Sequence, residues 1–484
     1  MRLAKLIIPK KINVLWRLST PKRIMRLSFI FLLFVSISPA FSQDNSPYTR
    51  YGLGDIVPST NINSRGMGGI SAGFTDGYPF LAPLSINFNN PATYGHFQAV
   101  TEGRSKKLAY GRAILDLGMN LENRTLIDPT KTTDFTASNL LFSHLQVGVP
   151  LKKNWGLSFG LRPITRISYN LSKRERLFDP NTGQPIDSAV TLNQGDGGSY
   201  LASVGVGHRI EISDRQSFSL GANGGYLFGK KDYSARRLFI NDTVEYNSGN
   251  FQTKTTYGSL YFNLGLQYQA QLDSNTFFTF GAFGNIKQSL NASQDIIRET
   301  FFYDASGGTS RIDSVYENRD VKGKIEYPSS LTVGFTIQRI PQNKKPGWLI
   351  GVDYSRTKWE DYRFYGQADS VQNKSEVRIG AELRPSLSSA RKSYFGNVAY
   401  RAGVFFGPDY VKIKEKLPVF GATFGLGLPL RNYNRQSPGQ ATMINLAFEY
   451  IKRGNNDNLL KENMFRISLG FSLSDFWFVR KKYE

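Results

Sequence analysis

In the stretch 464–473, Phe465, Ile467, Leu469, Phe471 and Leu473 fall on one face of an extended chain, and Arg466, Ser468, Gly470 and Ser472 fall on the other. Successive strand side chains point to opposite faces, so this ribbon is apolar on one side and small or polar on the other. Similar ribbons recur along the whole chain. Such strands suit a closed barrel with hydrocarbon outside and water inside, because lipid tolerates no unpaired backbone and a closed sheet has no edge.

A scan for period-two alternation gives fourteen segments, near 98–120, 136–150, 155–171, 199–212, 217–231, 255–270, 276–290, 328–339, 347–358, 374–384, 397–406, 418–428, 442–453 and 463–473. The connections alternate in length. Those at 151–154, 213–216, 271–275 and 340–346 are short, whereas 172–198, 232–254 and 291–327 are long and polar. Bacterial barrels have short periplasmic turns and long outer loops, which predicts that both mature termini are periplasmic. Trp348, Tyr354, Trp359, Tyr362, Tyr450, Phe476 and Trp477 lie near strand ends, where an aromatic girdle belongs. The expected fold class is all-β: a 14-stranded antiparallel transmembrane β-barrel of the bacterial outer membrane.

The sustained apolar run, 27–37, is shorter than the roughly 18 residues a membrane helix needs. Arg23 and Arg26 precede it, Pro39 breaks it, and Ala40-Phe41-Ser42 follows, the pattern of a signal peptide cleaved before Gln43, with Met25 as an alternative start. Removing its eight Lys and Arg lowers the net charge from +22 to +14. Either basic loops lying against lipopolysaccharide and other anionic lipid or an anionic ligand or partner drawn in by the field accounts for that charge, and no nucleic-acid motif accompanies it. The absence of Cys excludes disulfides and a lipoprotein anchor.

Residues 43–96 do not alternate. Gly52, Gly54, Gly66, Gly68, Gly69, Gly73 and Gly77 make this stretch too polar and too flexible for a wall strand. A hatch plugging the lumen suits it, since a barrel of about fourteen strands is wide enough to need filling. The expected division is 1–42 signal region, 43–96 hatch, 97–473 barrel and 474–484 a short periplasmic tail.

No catalytic set is visible. His96, His144 and His208 are scattered, there is no nucleophile elbow, phosphate loop or metal motif, and no cofactor is expected. Charges at inward strand positions are more telling, because a buried charge must be paired or serve a ligand. Arg162, Asp353, Arg378, Glu382, Arg384 and Arg401 are such positions. They either tie the hatch to the wall, or one of Arg65, Arg162, Arg378 and Arg401 grips a carboxylate head group in a two-pronged hydrogen bond. Pro163, beside Gly160, removes a ladder donor inside the third strand and points to a lateral gap there.

Two regions resemble the FadL family of outer-membrane transporters for long-chain fatty acids and other hydrophobic compounds. The first is Arg65-Gly66-Met67-Gly68-Gly69 followed by 85–92, which holds Asn90-Pro91-Ala92; this looks like the family's glycine-rich hatch. The second is the order of a Pro-led strand at 327–335, a strand at 347–354 with inward Asp353, then Trp359, Tyr362 and the strands at 377–383 and 400–404. The resemblance implies a hatch-plugged barrel and a passive inward route for a hydrophobic small molecule that leaves sideways through the wall. The outer loops depart from it, being charged at Lys173, Arg174, Glu175, Arg176 and again at Arg311, Asp313, Glu317, Arg319 and Asp320. Those loops suit the rival reading, a non-transporting barrel subunit with protein partners in a larger outer-membrane complex.

Overall fold

The last wall strand pairs with the first, from Lys461↔Ile127 to Trp477↔Gly111, so the sheet closes on itself. The computed structural model describes residues 46–76, 83–101, 108–130, 134–240, 246–304, 306, 308–342, 345–386, 394–430 and 440–477. Within them the wall strands are β1 (Leu108–Ile127), β2 (Phe135–Lys152), β3 (Trp155–Phe178), β4 (Pro185–Ser213), β5 (Gln216–Phe239) and β6 (Ser248–Asp273). Then come β7 (Thr276–Asn285, resuming as Gln288–Tyr303) and β8 (Thr309–Tyr327, resuming as Ser330–Arg339). The wall is completed by β9 (Gly347–Thr357), β10 (Lys374–Arg384), β11 (Ala399–Ile413), β12 (Glu415–Leu430), β13 (Ala441–Arg453) and β14 (Lys461–Trp477). All neighbours are antiparallel. The expected signal peptide and its cleavage site lie outside the described residues.

The alternation sorts the faces as the sequence demands. On β14, Phe465, Leu469 and Phe471 are exposed, while Arg466, Ser468 and Ser472 are buried. Leu220, Leu264, Phe280, Ile350 and Phe424 continue the outer apolar band around the wall. This closed wall with an apolar exterior is that of an integral outer-membrane protein.

Four features differ from the sequence reading. The first strand begins at Leu108, and Ala99–Thr101 forms a short strand folded back upon it. The stretches read as long loops, 172–198, 232–254 and 291–327, mostly continue the strands: β3 to β6 run 24 to 29 residues, more than twice the roughly 9–11 that cross a bilayer. Above the membrane a strand needs no apolar outer face, so its polar alternation reads as loop. Trp359 and Tyr362, expected in the girdle, are instead buried with Tyr48, Leu53 and Tyr410 in an interior apolar cluster. Finally, the last strand reaches Trp477, past the expected boundary at 473.

Residues 46–76 and 83–97 line the inside. Ser46 donates to Glu462 and Tyr48 to the Leu460 carbonyl at the hairpin end of the barrel. Phe97, at the far end of the segment, meets Gly148 near the short turns. The two ends of the described chain, Ser46 and Trp477, therefore lie at opposite ends of the barrel, not both at the short-turn end.

The ladder between β2 and β3 is interrupted part of the way along. Pairing runs from Lys152↔Trp155 to Leu145↔Leu161 and stops, while β3 stays paired to β4 as far as Phe178↔Pro185. A bulge between Pro163 and Thr165 bends β3 away, as expected where proline withdraws a donor. The two-residue strand Asp55–Ile56 takes the vacated place opposite Arg166 and Thr165, and Val57 N donates to the Ile164 carbonyl (3.0 Å).

Candidate functional site

The site to consider is the lumen, where residues 46–97 meet the wall. Arg65 ends a one-turn helix, Ile62–Arg65, whose start is capped by the Asn61 side chain accepting from Ser64 N. Fully buried, it donates to Asn120 Oδ1 of β1 (2.5 Å), Ser143 Oγ of β2 (2.7 Å), Ser468 Oγ of β14 (3.2 Å) and the Pro58 carbonyl (3.0 Å). One guanidinium thus binds three wall strands across the barrel seam.

The glycines that follow permit close approach. At Gly66 a Cβ would lie 2.9 Å from Gly425 Cα, and Gly69 donates to the Ser64 carbonyl (2.7 Å). Gly68 has a φ of +67°, and its absent Cβ would sit 2.7 Å from the Ile379 carbonyl and 2.8 Å from that of Val404. Only glycine meets both demands. Asn90 accepts from Ala92 N (3.2 Å) to cap the turn Pro91–His96 and donates to the Ala72 (2.8 Å) and Leu266 (3.2 Å) carbonyls. The Asn90-Pro91-Ala92 element therefore acts as a seat near the short-turn end, against Gly221 and Gly265.

The other candidate arginines do not converge. Arg162 donates to the Ser59 carbonyl (2.8 Å) and Asn89 Oδ1 (2.9 Å), and stacks over Phe88 at 5.0 Å. Arg378 pairs with Glu376 (2.5 Å) and donates to the Gly69 carbonyl (3.2 Å). Arg401 pairs with Glu382 (3.1 Å) and donates to Asn445 (3.2 Å). Arg65 and Arg378 border one cavity of 150 Å³, and Arg162 and Arg401 lie elsewhere. Gly160 is within intact wall, opposite Gln146 and Ser203, whereas Pro163 is at the margin of the interruption. Gly160 thus borders the gap from its paired side, one residue before the last β2–β3 pair.

Sequence reasoning missed the strongest charge cluster. Asp55 of the inner segment pairs with Arg124 of β1 (2.5 Å) and Arg453 of β13 (3.2 Å); both arginines also reach Glu462 of β14 (3.2 Å each), and Arg453 pairs with Asp409 (2.6 Å). Burial disfavours the Asp55 charge, yet Arg124 and then Arg453 hold its carboxyl well below the usual range. With the folded value depressed, its contribution is present above the ordinary carboxylate range, complete at neutral pH, and lost only as pH falls into strong acid. One level down, Arg466 joins Glu122 (2.6 Å) and Glu449 (2.8 Å) across the seam. The available signal was a single charge at an inward position of an otherwise small-polar face, as at Glu122, Glu449 and Arg466. No group of three His, Cys, Asp or Glu poised for a metal occurs among the described residues.

Comparison with known proteins adds the following. Solved structures similar to this chain include a Pseudomonas aeruginosa FadL homologue, at 11% identity over 89% of this chain and 100% of that one with a TM-score of 0.48. The Pseudomonas putida toluene transporter TodX matches at 14% identity over 88% and 99% with a TM-score of 0.47. The CymD monoaromatic hydrocarbon channel matches at 14% over 87% and 98%, with a TM-score of 0.43. No curated protein sequence matches. The profile of the BamG family matches residues 22–484, nearly the whole length, and the chain accordingly belongs to the BamG family.

Proposed function

We propose that this protein is a plugged barrel subunit of an outer-membrane assembly, offering its projecting sheet to a protein partner. The observation that carries this reading is the lumen. Its cavity has a mixed lining in which ion-paired Asp55, Glu376, Arg378, Arg453 and Arg466 face Ile56, Val57, Phe405, Val419 and Ile451, so fixed charges stand across the path of a hydrophobic compound. Above the membrane, β3 to β8 continue as a six-stranded sheet whose β7–β8 hairpin sets charged Arg311, Glu317 and Arg319 beside exposed Phe302, Ile312, Val315 and Tyr316. Such a projection supplies a stiff docking surface. The family name is in keeping with a place in an outer-membrane complex.

The test is to replace residues 295–320 by Asn-Gly, a turn suited to joining the directly paired Gln294 and Val321. The barrel should still fold, judged by its heat-dependent gel mobility, while partner chains are lost from the native mass spectrum of the complex purified from its own membrane. Partners retained in full by the shortened, folded barrel would overturn the reading.

A second reading, passive movement of a hydrophobic compound with sideways exit, is favoured by the interrupted β2–β3 ladder. A Gly160→Trp substitution places an indole where even a Cβ would meet the Leu145 carbonyl at 2.2 Å, beside the opening. If the lateral route operates, uptake of labelled toluene or oleate into cells should fall to the level of cells lacking the protein. Charge reversal at Arg162 or Arg378 should then alter selectivity, whereas a purely structural role alters melting alone.

A further inference from the structure

The wall interruption continues into a second hollow, and together they form one amphipathic groove on the outer side of the sheet. The lower part, 350 Å³, lies between β2 and β3 and is bordered by Leu141, Phe142, Ile167 and Tyr200 together with Arg166 and Ser168. The upper part, 270 Å³, is bordered by Asn170, Gln194, Ser234, Arg236 and Gln252. Gly195 and Asp196 border both.

The bend that creates the groove is built in. Gly197 and Gly198 have φ of +144° and +141°, and Cβ atoms there would lie 2.1 Å from the Lys230 carbonyl and 2.4 Å from that of Thr165. Only glycine permits this bend of β4 opposite the Pro163 bulge.

The groove crosses the membrane boundary. Leu140 and Tyr200 beside the lower part are exposed on the apolar band, while the upper part lies on the polar projection, beyond hydrocarbon. Its two acids are engaged, Asp196 with Lys230 (2.5 Å) and Asp232 with the Gln252 amide (2.8 Å), leaving lone pairs for hydroxyl donors. Arg236 borders the upper part, its Nε enclosed and without a hydrogen-bond partner among the described residues. Amides, hydroxyls, carboxylates and the Arg236 side chain above, and below them a cleft that sets Leu141, Phe142, Ile167 and Tyr200 beside Arg166 and Ser168, match a sugar head group with anionic substituents and an attached acyl chain.

The geometry points to a site for a glycolipid of the outer leaflet, the acyl chain entering between β2 and β3 and the phosphorylated sugar resting on β3 to β6. This holds whether the barrel docks a partner or transports a compound.

The test uses the full mature chain purified in mild detergent, with phosphorylated lipid A, phosphatidylglycerol or phosphatidylethanolamine added at equal concentration and adducts counted by native mass spectrometry. Lipid A should exceed phosphatidylglycerol about tenfold, and Arg236→Ala should lower lipid A occupancy about tenfold, the effect of losing one charge-assisted hydrogen bond. Leu141→Trp should exclude lipid A by filling the cleft. If that variant does not fold, Arg236→Ala alone decides. Equal binding of phosphatidylglycerol, unchanged binding in a folded Arg236→Ala barrel, or a protein chain seated over Asn170 and Gln194 would overturn the assignment.

Discussion

Replacing Arg466 by Met is expected to destabilise the barrel by about 3–5 kcal/mol, the usual consequence of removing one partner from a buried ion pair. The guanidinium joins Glu122 of β1 and Glu449 of β13, both nearly inaccessible, across the strand pair that closes the wall. Without it two carboxylates remain in the interior and must be protonated or hydrated at a cost. Adding Glu122→Gln and Glu449→Gln to the same chain should recover much of the loss, because neutral amides demand less. Urea titration of the barrel refolded into vesicles measures all three variants. As a reference, Arg319→Ala, on the exposed hairpin beside Glu317, should stay within about 1 kcal/mol of the parent. A loss for Arg466→Met no larger than that reference would show that the charges at the seam are not needed.

The second large effect is expected from Gly68→Val. A β-branched residue at φ +67° is strained, and the new side chain would collide with two wall carbonyls, those of Ile379 and Val404. Residues 46–97 should then leave their seat. In planar bilayers the parent should conduct little and the variant should show open-pore steps, since a barrel of this strand number encloses a channel when unfilled. Trypsin should cut after Arg65 in the variant alone, because that side chain is inaccessible in the parent. Gly69→Ala, with φ +82° but no neighbour closer than 3.6 Å to its Cβ, separates backbone strain from collision and should have a smaller effect. Unchanged conductance and protection in Gly68→Val would contradict the seating described.

The wall was legible because lipid imposes a period on every strand: Phe465 through Leu473 and the matching ribbons up the chain announce their outward faces without reference to any distant residue. Where lipid ends, so does that signal. Lys173 to Arg176 and Arg311 to Asp320 are strands by pairing, yet their polar sequence carries no apolar stripe. The Gly66 to Gly69 run was readable as a special backbone, but its partners Gly425, Ile379 and Val404 lie more than 300 residues away, and local pattern cannot supply them. The same distance hides Asp55 from Arg453. Trp359 and Tyr362 were misassigned because an aromatic near a strand end is equally suited to an interface or to an interior cluster, and the packing of Tyr48 and Tyr410 decides which. The four arginines were correctly placed inside, but what each binds depends on chain brought from elsewhere.

Arg65 and Asp55 have a consequence for biogenesis. Between them they hold β1, β2, β13 and β14, the strands made first and last, and so add to the β14–β1 ladder and the Arg466–Glu122 pair that already join the margins of the wall. Ring closure and seating of the inner segment then strengthen one another. A nascent chain whose leading residues have not yet been tucked in would hesitate with its margins parted, a pause that a folding catalyst could recognise.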